Sequence, residues 1–266
     1  MTGLYLIFAA GKRPTRAALK EFAAGHNSVC VSHDPYESTP LHLVEAGTEF
    51  SSTDNPENQS PQTQEDVWIE LLRDGLTFDI AGLAPGGLSP FPEIEHRFDL
   101  SDIPTAFQFD AVHLRAGQHL KGGENTAPVV KGLIGLATEL AHYFEDLAAV
   151  VWPPSKSAIG CRYFESVSTA WLDGGPFPAL GLTAFKETID GALQSIGLDF
   201  WIGQELRIEP PLSSDKVQAT RLAARIVNQL IIVGGLEVSE RIVAPDGMQL
   251  VMRPSRNQKF VRVWRE

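Results

Sequence analysis

The chain has 266 residues, 43% of them hydrophobic and 21% charged, with a formal net charge of −11. That length and composition suit one large globular domain or two smaller ones, with a core that needs no disulfide staples. The acidic balance repels phosphate backbones and excludes a broad nucleic-acid-binding face.

The opening run Leu4–Ala10 is continuously apolar, as in a strand buried on both faces. Thr15 to Ala24 reads as a helix, and "SVCVS" (28–32) as the next buried strand, carrying Cys30. Residues 48–66 are rich in Ser, Pro, Asn and Gln; they predict a polar excursion too poor in apolar groups to order itself. "VWIELLRDG" fits a short helix or a strand, and "LTFDIAGLA" alternates like a strand. The Pro/Gly-punctuated stretch 85–95 marks a lobe boundary. The expected division is an N-terminal lobe over 1–88 and a C-terminal lobe over 89–266, with one continuous domain as the alternative.

Beyond it, 106–117 alternates as a strand. Thr126 to Phe144 predicts a long amphipathic helix capped by Thr126, with Pro128 in its first turn. "DLAAVVW" reads as a buried strand stopped by Pro153 and Pro154, and "YFESVSTAWL" as a helix. Three strand candidates follow. Then comes a second long helix, capped by Ser213 or Ser214 and ended by Gly234-Gly235. A hairpin around "PDG" and a last strand, "KFVRVWR", close the chain. Runs of adjacent strands with single helices between them predict an α+β fold with mixed or largely antiparallel sheets. A strand-helix-strand unit in each half leaves room for two similar α/β lobes.

No motif names a reaction. In "FAAGKRPT" a Gly-Lys pair stands between strand and helix. A phosphate loop needs glycine where Leu6 stands and Ser or Thr where Arg13 stands, so the stretch reads as a solvated turn. "HLKGGENTAPVV" lacks the dinucleotide fingerprint, and no cofactor is expected. The seven histidines show no metal-ligand spacing, and no C-x-x-C pairs the two cysteines, so no metal is expected either. His142 reads as a solvated partner of Glu139, one turn away. Glu205, Arg207 and Glu209 read as a surface charge ladder on one face of a strand.

Two clusters remain. His113, Arg115, His119, Glu124 and Asn125, with Lys121, gather before the long helix as a candidate polar site. Cys161 is an outlying candidate nucleophile for it. Arg253, Arg256, Lys259 and Arg262, with Arg265, form a basic end on an acidic chain and a candidate anion or partner patch. There Arg262, between Phe260 and Trp264, can stack on the rings.

The succession "HLKGGENTAPVVKGL", "AAVVWPPSKSAIGCRYF", "FPALGLTAF", "GQELRIEP" and "PSRNQKFVRVW" resembles a bacterial family defined only as a domain of unknown function, over roughly residues 104–266. The resemblance implies a compact cytoplasmic α+β protein and carries no activity or site residue. A cytoplasmic location also fits two cysteines, an opening without a charged leader, and no stretch of about 18 consecutive apolar residues. From the residues themselves the first expectation is a non-enzymatic module binding a protein or peptide, with no membrane or nucleic-acid partner. The second is a small-molecule enzyme with its polar site around 113–125.

Overall fold

The computed structural model describes residues 3–37, 67–244 and 246–266. The expected polar excursion 48–66 lies outside the described residues. The described fold is α+β: two mixed sheets with packed helices.

The first sheet is built from β1 (Gly3–Ala9), β2 (Val29–His33), β3 (Trp68–Arg73), β4 (Leu76–Ala81), β5 (His96–Phe98), β6 (Phe109–Ala116), β7 (Leu147–Trp152) and β8 (Ser157–Gly160). Its order is β2-β3-β4-β6-β1-β7-β8-β5, antiparallel except where β5 joins β8. Alternation along each strand separates two faces. Leu4, Leu6, Phe8, Ile69, Leu71, Phe78, Ile80, Val112 and Leu114 point to the helix side, where they are buried. There α1 (Arg16–Ala24), α2 (Ala127–Tyr143) and α3 (Cys161–Leu172) lay down Leu19 and Phe22, Val130 and Leu133, and Phe164. The opposite face has two parts. Ile7, Ala111, Ala149, Val151 and Ala158 are covered by Phe91 and Ile94 from the connection between β4 and β5 and by Leu100 just after β5. Over β2, β3, β4 and β6 that face carries polar residues instead.

The second sheet comprises β9 (Ala184–Glu187), β10 (Leu193–Ile196), β11 (Glu205–Ile208), β12 (Glu240–Val243), β13 (Gln249–Pro254) and β14 (Phe260–Arg265). Its order is β12-β13-β14-β11-β10-β9, with only β11 and β14 parallel. The helix α6 (Lys216–Val233) packs Ala223, Val227 and Leu230 into the same buried cluster as Leu206, Ile208, Val261 and Val263. Two short segments lie in the connections: α4 (Ala179–Leu182), whose backbone leaves the helical region at Leu180 and Gly181, and the single turn α5 (Asp199–Ile202). Between the sheets Trp152, Trp171, Phe177 and Trp201 meet with ring centroids 5.0–5.8 Å apart, Trp152 stacked on Trp201 and the other pairs edge to face. One buried cluster therefore runs through both sheets.

Several local expectations are corrected. A division at residue 88 would cut the first sheet, because β6 lies between β4 and β1; the chain changes sheets after Gly160. Among the described residues the two sheets differ in strand number and order, unlike two copies of one lobe. "VWIELLRDG" is a strand. Cys30 is exposed, because β2 is an edge strand and the residue points away from the helices. The N-cap of α6 is Asp215, whose carboxylate accepts from the backbone N–H groups of Val217 and Gln218 at 3.0 and 3.1 Å; Ser213 donates to Gly191 instead. Thr126 occupies the N-cap of α2 but donates its hydroxyl back to Gly123 at 2.7 Å. His142 meets Glu165 of α3 at 3.0 Å rather than Glu139, which takes Arg73.

Candidate functional site

The polar face of the first sheet forms the floor of a cleft of about 820 Å³. An Asp-Gly turn, with Asp74 at φ 51° and Gly75 at φ 80°, joins β3 to β4 and pairs Arg73 with Leu76. The two-residue turn sets the register of the whole hairpin, and that register puts Glu70 opposite Asp79. Asp79 in turn lies opposite Arg115 of β6, and Glu70 opposite His33 of β2. One row across four strands thus reads His33, Glu70, Asp79, Arg115.

Both carboxylates are only 8% exposed. Ser32 donates its hydroxyl to Oε1 of Glu70 at 2.7 Å. The Arg115 guanidinium reaches Oδ2 of Asp79 through Nε at 3.3 Å. Burial pushes the Asp79 carboxyl above its ordinary value; Arg115 pulls the other way and the Glu70 charge pushes it further up. Trp68, two residues before Glu70, stands on the same face with its ring 5.5 Å from that of His33.

The wall comes from the segment after β6. Gly117 donates its backbone N–H to Thr77 at 2.8 Å. A Cβ there would sit 2.3 Å from the Thr77 hydroxyl and 3.0 Å from Oε2 of Glu70, so only glycine lets the backbone cross the floor so closely. Past this crossing, His119, Lys121 and Glu124 reach the rim.

Three of the five residues expected to form a polar site, Arg115, His119 and Glu124, therefore line one cleft, together with Lys121. His113 does not line it. Its ring stacks on Tyr5 at 4.4 Å, and burial, aided by the Arg115 charge, brings its pKa down to about 4. Asn125 is exposed outside the lining. Cys161 is no nucleophile for this site. Its thiol donates to the Leu147 carbonyl at 3.0 Å, and burial with the nearby Glu165 charge pushes its pKa up to about 12. The floor residues Ser32, Trp68, Glu70 and Asp79 were not among the sequence candidates. Their signal was the Asp-Gly turn, whose hairpin register sets two acidic residues opposite each other on a strand pair that carries Ile69, Leu71, Phe78 and Ile80 on its other face.

In the turn after β1, Lys12 is exposed, and Arg13 spends its guanidinium on the carbonyls of Gly82, Gly86 and Gly87 at 2.9, 2.5 and 2.8 Å. Among the described residues no group of three or more His, Cys, Asp or Glu side chains could hold a metal ion, and no helix is long and apolar enough to cross a membrane.

On the second sheet, the face turned away from α6 carries the basic patch. Lys186, Gln194, Arg207, Arg262 and Arg253 stand in register across β9, β10, β11, β14 and β13. The Trp264 ring lies 5.0 Å from the Arg262 guanidinium and 5.9 Å from that of Arg253. Arg256 and Lys259 are exposed on the turn joining β13 to β14. Glu205 and Glu209 are not surface charges: Glu209 is buried beneath Arg207 and Arg262, and Glu205 accepts from Ser195 and from the Gly197 backbone.

Compared with family models, with curated proteins and with solved structures, the chain finds no match in any of the three, so the resemblance over 104–266 gains no support from them.

Proposed function

We propose that the protein binds a small polar molecule in the cleft over β2, β3, β4 and β6. One observation carries the reading: two buried carboxylates, Glu70 and Asp79, face each other at the floor of a concavity of about 820 Å³. That volume falls in the range of small-ligand sites, and a few convergent polar groups on a rigid sheet are what such sites use to orient a ligand. Asp79, with its carboxyl raised by burial, is suited to take and return a proton, and the His119 side chain stands at the rim above it. The cleft thus supports acid–base chemistry on whatever it binds, and an enzyme is its natural extension.

A thermal-shift screen of the full chain against amino acids, amines, sugars, nucleotides and organic acids tests this reading. A ligand at about 100 times its dissociation constant adds about 2.7 kcal/mol. For a chain of this size that is a rise in melting temperature of several degrees. The rise should vanish in Asp79→Asn. A hit that survives both Asp79→Asn and Arg115→Gln would place binding elsewhere.

A second reading, recognition of an acidic protein or peptide, is favoured by the register row of Lys186, Arg207, Arg262 and Arg253 beside Trp264. Arginine and tryptophan are the residues that most often anchor such contacts. Loss of an acidic partner on Arg253→Glu, with the cleft intact, would support it.

A further inference from the structure

We propose that the ligand of this cleft presents a cationic amine, an ammonium or guanidinium group, to Glu70 and Asp79, with Trp68 as an aromatic wall beside it. The inference rests on the reading of the cleft as a small-molecule site and adds the charge and chemical class of the molecule.

The charges on the floor do not balance. Arg115 is held by Asp79 at 3.3 Å. Glu70 has no ion-pair partner among the described residues: Oε1 takes the Ser32 hydroxyl, and no described donor reaches Oε2. Like charges directly opposite on neighbouring strands repel, yet the hairpin register places Glu70 and Asp79 in that position, each more than nine-tenths removed from water. A positive group above the pair relieves the repulsion and gives the free Glu70 oxygen a donor.

The surrounding groups agree in sign. Trp68 stands on the same face, two residues along β3, and an indole face attracts a cation. The cation on the floor is already paired and Lys121 is exposed at the rim, so an anion seated on the floor would face two carboxylates without a free positive charge beside them. A metal ion fits poorly, since no third metal-binding side chain joins the two carboxylates among the described residues. An organic cation needs only charge, donors and an aromatic surface.

The test is calorimetric titration of the full chain with matched probes: putrescine and agmatine, N-acetylputrescine, which lacks one charge, and succinate, a dianion of similar length. The expected result is binding of at least one amine and about tenfold weaker binding on acetylation. Glu70→Gln, which keeps an acceptor for Ser32, should also weaken binding by about tenfold or more. Should Glu70→Gln fail to fold, the putrescine/N-acetylputrescine comparison on the unmodified chain still decides. Succinate binding that is unchanged or tighter in Glu70→Gln overturns the amine assignment while leaving the cleft as a ligand site. Silence of both amines at millimolar concentration overturns the assignment too; silence of the wider screen as well removes the small-molecule reading with it.

Discussion

Arg207 and Arg262 stand opposite one another on the parallel pair β11 and β14 and share a single carboxylate oxygen, Oε1 of Glu209, at 2.8 and 2.5 Å. Two guanidinium groups at that spacing repel, and the buried carboxylate between them reverses the sign of the interaction. Asp190 takes the far side of Arg207. Glu209→Ala leaves both arginines facing each other. It should cost about 3 kcal/mol, the scale for removing one partner of a buried ionic cluster. Urea denaturation checks this, and a loss below about 0.5 kcal/mol would show that solvent already screens the pair.

His113 makes the fold sensitive to acid. Its pKa is about 4 in the folded chain, because it is buried against Tyr5 and near Arg115, and about 6.5 when unfolded. Between those values the unfolded chain binds the extra proton, so stability is fully present above pH 6.5 and is lost as pH falls towards 4. The shift corresponds to roughly 3 kcal/mol. Replacing His113 with Gln should flatten the dependence of melting temperature on pH in this window.

Glu205 acts in the opposite direction. Burial raises its pKa to about 6, the nearby Asp199 adds to the rise, and the bonds from Ser195 and Gly197 only partly offset it. From about pH 4.5 to 6 the folded chain holds the extra proton, so stability falls as pH rises through this range and stays lower above it, by roughly 2 kcal/mol. In a His113→Gln background this slope should be exposed and then removed by Glu205→Gln. A flat profile in the single variant would show that Glu205 titrates at its unfolded value.

The two thiols should differ in reactivity. Cys30 is exposed on the edge strand β2, whereas Cys161 is half-buried at the start of α3, its thiol donating to the Leu147 carbonyl and its pKa pushed up to about 12. Iodoacetamide at pH 8 should add one carbamidomethyl group to the folded chain, on Cys30, and a second only after denaturation. Intact-mass and peptide mass spectrometry read this directly.

Gly117 holds the cleft together by having no side chain. Its φ of −64° is open to any residue, so the cost of Gly117→Ala is steric: the new methyl meets Thr77 at 2.3 Å. A destabilisation of about 1–3 kcal/mol is expected. Gly117→Ala combined with Thr77→Ala should recover most of it, and no recovery would place the strain elsewhere.

Much of the element order was legible in the sequence because local patterns decide it. The alternation of Phe78 and Ile80 against Thr77 and Asp79, and the stripe from Val130 to Leu140, are physical consequences of the strand and helix periods. Caps were less legible: Asp215 outcompetes Ser213 because Gly191, distant in sequence, offers the serine a carbonyl. The candidate site was half visible. Arg115, His119 and Glu124 lie close along the chain and could be grouped by eye. Glu70 and Asp79 are separated from them by dozens of residues, and no spacing rule connects β3 to β6.

By itself, then, the sequence determined most of the strands and helices and the α+β class, through contacts within a few residues. Only the tertiary structure decided that β6 inserts between β4 and β1 and pairs Asp79 with Arg115. It also decided that the connection after β4 seals one half of the sheet and leaves the other open as a cleft. These outcomes depend on which distant strands meet, and that is set by burying the largest apolar area at once rather than by any local pattern.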